Sequence, residues 1–150
     1  AGFKDNAPPD DFTVRQLSGL ATALGTILLP KISDCFSARN RNGEYLRQGL
    51  KFVPGLRLPE IKSGIYPVYN RFPVLFENEQ TLEKKEKKLW SAGFESSRMY
   101  LNPLHKMFRL GYLPQDFPNA NYFAGHVLTL PVYPALKEKD LSRMIEVLRS

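Results

Sequence analysis

Cysteine is nearly missing from this chain. Cys35 stands alone, so no disulfide can close within it, and a cysteine-built zinc site lacks its ligands. Histidine is almost as scarce: His105 and His126 lie 21 positions apart, with no carboxylate pairing close by, which gives a metal site little support. A glycine-rich phosphate loop is absent, as is the HExxH zinc motif. No apolar run approaches the ~18 residues of a membrane span. The opening Ala1-Gly2-Phe3-Lys4-Asp5 has no apolar signal core. These absences favour a reducing, cytoplasmic setting with no membrane partner.

What is present fits one ordinary domain. The 150 residues are 43% hydrophobic and 12% aromatic, enough to bury a core and too apolar for a disordered tail. The formal net charge is +6, but it forms no single basic patch. Lys84, Lys85, Lys87 and Lys88 run together with Glu79, Glu83 and Glu86. Arg39, Arg57, Arg109 and Arg149 are scattered. A nucleic-acid binder concentrates its charge on one face, so no nucleic-acid partner is expected.

The periodicity of apolar residues predicts the elements. Leu17, Leu20, Ala21, Leu24, Ile27 and Leu28 trace one helix face, ended by Pro30. Gly19 and Gly25 weaken this helix on its own, which suits one packed against a partner. A second helix is expected over about 33–50, with Phe36, Leu46 and Leu50 inward and Arg39, Arg41 and Arg47 in water. Pro54, Gly55 and Pro59 make 52–64 a loop or short edge pieces. Residues 65–76 read as a strand, placed at an edge or bulged because Pro67 and Pro73 cannot donate ladder bonds. Asn78 caps a helix over 79–92, with Leu82, Leu89 and Trp90 inward and Gly93 closing it. A short strand near 97–101 leads into a long irregular loop over 102–117. A helix opened by Pro118 or Asn119, a strand over 128–130 and a final helix over 137–148 complete the chain. The fold class is therefore α+β: a small mixed sheet covered by helices.

One stretch is chemically suggestive. A strand delivers Tyr100 to the sheet end, and the loop after it presents Asn102 and His105. A phenol, an amide and an imidazole can together hydrogen-bond a hydroxyl-rich substrate. The same residues also suit a plain solvated loop. His126, beside an apolar helix stripe, and Cys35, inside a helix, read as structural residues.

Three segments carry a family resemblance. Gln16-Leu17-Ser18-Gly19-Leu20-Ala21-Thr22-Ala23-Leu24-Gly25 is similar to an "RMSxLxAALG" helix. Tyr100-Leu101-Asn102-Pro103-Leu104-His105 resembles an "hYxPLH" loop. Ala124-Gly125-His126-Val127-Leu128-Thr129-Leu130-Pro131-Val132-Tyr133-Pro134-Ala135-Leu136 resembles "AxxVLsLPlhPxL", followed by a terminal helix. In this order and spacing they resemble the C-terminal portion of the DegT/DnrJ/StrS family. Its members are pyridoxal-phosphate-dependent nucleotide-sugar aminotransferases of the aspartate-aminotransferase fold. The chain departs from the family pattern at Gln16, where Arg is usual, and at Val14, where an Asn usually reaches across the dimer toward the cofactor phosphate.

The resemblance implies that residues 1–50 are connecting helices from a missing large domain and residues 51–150 are the small domain. It implies pyridoxal phosphate (PLP) in the complete protein. None is expected covalently bound to this chain, because the Schiff-base lysine belongs upstream and none of the 11 lysines here sits in the expected cofactor context. The complete enzyme would pass an amino group from a donor such as glutamate to a nucleotide-linked keto-sugar, and this chain alone would be inactive. Tyr100 and His105, with Asn102 third, would line the sugar side of the cleft. The expected partners are the missing large domain and a second copy. The alternative is a non-catalytic binding or regulatory module that kept the shape and lost the chemistry.

Overall fold

The computed structural model describes residues 16–99, 102–108, 110–113 and 115–150. Two helices come first. Helix α1 (Gly19–Leu28) opens at Ser18, whose hydroxyl accepts from the Ala21 N–H at 3.2 Å. A one-turn 3-10 helix over Leu29–Lys31 then leads directly into α2 (Ile32–Leu50). Pro30 does not end the helical path. It sits in the first turn of the 3-10 segment, where a missing N–H leaves no bond unmade.

The sheet has three strands in the order β1 (Leu56–Arg57), β2 (Phe72–Phe76), β3 (Val127–Leu130). Both strand pairs are antiparallel, where the sequence suggested a mixed sheet. Register places Val74 opposite Leu128 and Leu56 opposite Phe76. Ser97 adds an isolated antiparallel bridge to Thr129, the described part of the strand expected near 97–101. Strand β2 is central rather than an edge. Pro73 is tolerated there because β1 pairs only with Leu75 and Phe76, so toward β1 no donor is required at Pro73. Residues 65–71 stay outside the sheet because α2 takes their carbonyls. Asn40 Nδ2 donates to Pro67 O at 2.9 Å, and Arg39 Nη1 donates to Tyr69 O and Asn70 O at 3.3 and 2.7 Å.

Alternation in β2 sends Phe72, Val74 and Phe76 into the core and leaves Pro73 and Leu75 half-buried on the other face. The core face packs on Leu46 and Leu50 of α2, Leu82 and Leu89 of α3 (Glu79–Ser91), and Met144 and Leu148 of α6 (Glu138–Arg149). Burying each such side chain stabilises by about 1.5–3 kcal/mol. Two glycines that weaken α2 as a helix are close-contact points. A methyl group at Gly43 would overlap the Tyr69 ring, and one at Gly49 would overlap Ile145 of α6. Helix α3 begins at Asn78, whose side chain accepts from Thr81 N at 2.8 Å, and it ends before Gly93 at φ +85°, a left-handed position suited to glycine. Trp90 turns outward instead of inward, donating from Nε1 to Ser96 O at 3.2 Å. Phe36 is likewise exposed.

Helix α1 contrasts with the rest. None of its residues is buried, and Leu17 and Leu20 at its start are 75% and 73% exposed. Its apolar stripe covers nothing within the described residues. A helix this short has little stability alone in water.

Candidate functional site

The loop singled out by sequence contains a short helix, α4 (Leu104–Met107), opened by Pro103 in extended conformation. His105 is half-buried on it, and Asn102 lies exposed just before it. Tyr100 falls outside the described residues, as does Val14. The His105 ring rests against Phe117, centroids 4.9 Å apart and planes tilted by 40°. Phe117 in turn meets Tyr112 edge-on at 5.0 Å. Beyond the clustering of these aromatics in one loop, nothing in the sequence pattern links them to His105. His105 Nε2 is buried and has no hydrogen-bond partner among the described residues. An orphaned buried polar atom costs about 1–3 kcal/mol, so an incoming hydroxyl or amide that pairs with it gains correspondingly.

His126 closes α5 (Pro118–His126) and stacks on Tyr122 at 4.0 Å, and the Arg57 guanidinium of β1 lies 5.7 Å from the Tyr122 ring centroid. Arg57 also donates to Tyr122 Oη at 3.3 Å. The His126 Nδ1 contact to Tyr122 O, 2.7 Å, requires Nδ1 to be the donor, since a carbonyl can only accept. His126 thus braces the last turn of α5, and Tyr122 of the same helix contacts Arg57 of β1. Helix α5 runs without a connecting loop into β3, which is buried along its whole length.

Thr129 in β3 anchors the approach to the candidate loop. Its hydroxyl donates to Ser97 O at 2.8 Å and accepts from Arg71 Nε at 2.9 Å. Arg71 crosses β3 and also donates to Glu95 O. The segment that delivers Asn102 and His105 is thus pinned to the sheet at Ser97.

PLP, the cofactor implied by the resemblance, needs a lysine facing a cleft. Among the described lysines, Lys51 lines a surface pocket with Leu56, Leu58, Glu60 and Ile61 and is exposed. Lys85 alone among them is half-buried; it donates to Val147 O at 3.4 Å, joining α3 to the end of α6. Burial, and secondarily the charge of Lys88, lowers its pKa, but it is packed between helices far along the sequence from His105. The others are exposed. No step through the cofactor is therefore derived from these residues. Among the described residues no group of three or more His, Cys, Asp or Glu could hold a metal ion, and no helix is long and apolar enough to cross a membrane.

Comparison with known proteins gives a consistent result. The model of the DegT/DnrJ/EryC1/StrS aminotransferase family matches residues 13–149. The erythromycin biosynthesis sensory transduction protein EryC1 of Saccharopolyspora erythraea is 29% identical over 92% of this chain and 38% of its own length. A UDP-N-acetyl-3-dehydro-alpha-D-glucosamine 3-aminotransferase of Acidithiobacillus ferrooxidans is 28% identical over 63% of this chain and 25% of its own. The crystal structure of S. venezuelae DesV, in complex with a ketimine intermediate, superposes with a TM-score of 0.79 at 25% identity, over 87% of this chain and 35% of that one. The chain spans between a quarter and two fifths of the length of these relatives. On the match over nearly its whole length and the shared α+β fold, the chain belongs to the DegT/DnrJ/EryC1/StrS aminotransferase family.

Proposed function

We propose that this chain is the C-terminal portion of a PLP-dependent aminotransferase that acts on a nucleotide-linked keto-sugar in the cytoplasm. The observation that carries this reading is the family match over residues 13–149, against relatives of which the chain covers only about a third. In this reading residues 1–50 connect to a large domain and residues 51–150 form the small domain. The core supports a close attachment of the two parts, because Leu46 and Leu50 pack with the sheet. PLP, bound by the large domain, supplies the electron sink for moving an amino group. This chain contributes one wall of the cleft. His105, held by Phe117 and with Nε2 unpaired among the described residues, hydrogen-bonds and orients the sugar, and Asn102 and, on the resemblance, Tyr100 assist it. These groups position; they break no bond. The exposed apolar stripe of α1 supports a missing covering surface, either the large domain or a second copy in a homodimer. The alternative of a non-catalytic module is not favoured, since the relatives include a named sugar aminotransferase.

The test joins this chain to the rest of its protein and follows amino transfer from glutamate to a nucleotide-linked keto-sugar in the presence of PLP. Turnover is expected, with His105→Gln raising KM for the keto-sugar about ten-fold or more. The 150-residue chain alone should give no lasting stoichiometric absorbance band on mixing with PLP. A stable band from the chain alone would place the reactive amine here and overturn the division of labour. Absence of turnover in the joined protein would overturn the activity.

A further inference from the structure

A groove lined by Arg39, Asn70, Arg71, Glu95, Ser97 and Tyr133, among others, has a volume of about 380 Å³. Two arginines, Arg39 and Arg71, lie on its lining. Arg47 pairs with Glu44, and Arg98 pairs with Glu86 at 2.9 Å and Glu83 at 3.7 Å. Arg39 and Arg71 have no carboxylate within ion-pair distance among the described residues. Their hydrogen bonds go to neutral oxygens instead. Arg39 Nη1 donates to Tyr69 O and Asn70 O; Arg71 donates through Nε to Thr129 Oγ1 and through Nη2 to Thr129 O and Glu95 O.

These bonds fix both guanidinium groups without neutralising them. A guanidinium carries five N–H donors. Nε and Nη2 of Arg39 and Nη1 of Arg71 remain without a protein acceptor among the described residues. Two planar cations held in place before any ligand arrives, on a lining that also includes Asn70, Ser97 and Tyr133, suit a planar or tetrahedral oxyanion. We propose that this groove binds an oxyanion, the phosphate or carboxylate group of a small ligand, through Arg39 and Arg71. The site does not rest on the proposed aminotransferase activity. Glu95 is the single acidic side chain on the lining, and it is exposed. It acts as an internal competitor: its carboxylate lowers the local potential that the ligand meets.

The test is an amide chemical-shift titration of the 150-residue chain with inorganic phosphate and, separately, with acetate. Shifts that saturate at Asn70, Arg71, Ser97 and Tyr133, with a Kd on the order of 1 mM, are expected. Saturation by phosphate alone assigns a phosphoryl ligand, and saturation by acetate alone assigns a carboxylate. Glu95→Gln, an exposed change that removes the competitor, should tighten binding about three-fold. Arg39→Gln should weaken it about ten-fold or more, with the core amides of Val74 and Leu128 unmoved as evidence of an intact fold. Shifts spread evenly over the surface lysines without saturation, or an affinity unchanged by Glu95→Gln, would overturn the proposal.

Discussion

Thr129→Val replaces a hydroxyl with a methyl of nearly the same shape at a buried position of β3. Two hydrogen bonds disappear. One is neutral, to Ser97 O at 2.8 Å, and bonds of this kind are worth about 0.5–1.5 kcal/mol. The other is charge-assisted, from Arg71 Nε at 2.9 Å, and is worth about 1.5–3 kcal/mol. Against them stands burial of the added methyl, about 0.8 kcal/mol. Ser97 O keeps its bond from Thr129 N at 2.9 Å, and Arg71 keeps its bonds to Glu95 O and Thr129 O, so the loss falls toward the lower end. A destabilisation of about 2 kcal/mol follows, roughly 4–8 °C in Tm for a chain of this length. The assay is urea unfolding of the parent, Thr129→Val and Thr129→Ser. Serine keeps both bonds and loses only a methyl, so it should cost about 1 kcal/mol. A valine variant as stable as the parent, or more stable than the serine variant, would refute the assignment of Thr129 as the polar anchor of the Ser97 bridge.

Two further outcomes are expected. Gly49→Ala should destabilise by about 1–3 kcal/mol, because its methyl would overlap Ile145, and Ile145→Ala should relieve part of that cost in a double-mutant cycle by urea unfolding. The Arg47 hydrogen bond holds the Glu44 carboxyl below its ordinary value of 4.5. A depressed carboxylate stabilises the fold fully above its unfolded value and loses that contribution as pH falls through the lower folded value. The stability difference between parent and Glu44→Gln should therefore be constant and small near neutrality, begin to shrink near pH 4.5 and vanish once pH is below the lower folded value; a gap that widens on acidification contradicts the sign.

Helices were the most legible part of the sequence. Leu141, Met144, Ile145 and Leu148 recur at helical spacing and are all buried in α6, and the Asn78 cap and Gly93 terminator of α3 act as their side-chain chemistry dictates. The strand over 65–76 was half legible. Its alternation holds only where a pairing partner exists, at 72–76, while Asn40 and Arg39 occupy the preceding carbonyls from another element. No local pattern announces a bond between residues some thirty positions apart. The same limit applies to the candidate site. His105 was readable as a polar loop residue, but its contact with Phe117 depends on how the 102–117 loop closes. Arg39, expected in water, reaches across to the backbone ahead of β2 for the same reason. The exposed stripe of α1 was visible as apolar periodicity, whereas its lack of a cover within the chain was a fact of tertiary structure.

The passage from α5 into β3 has no slack. Val127, the first strand residue, donates its N–H to Phe123 O and so finishes the last helical turn while it pairs with Leu75 across the sheet. A single residue inserted there would turn Thr129 away from Ser97 and exchange the two faces of the strand. The joint is thus a length-intolerant point of the chain. It also makes helix and strand one mechanical piece: a displacement applied to α5 reaches Thr129 and, through it, the root of the loop that carries His105.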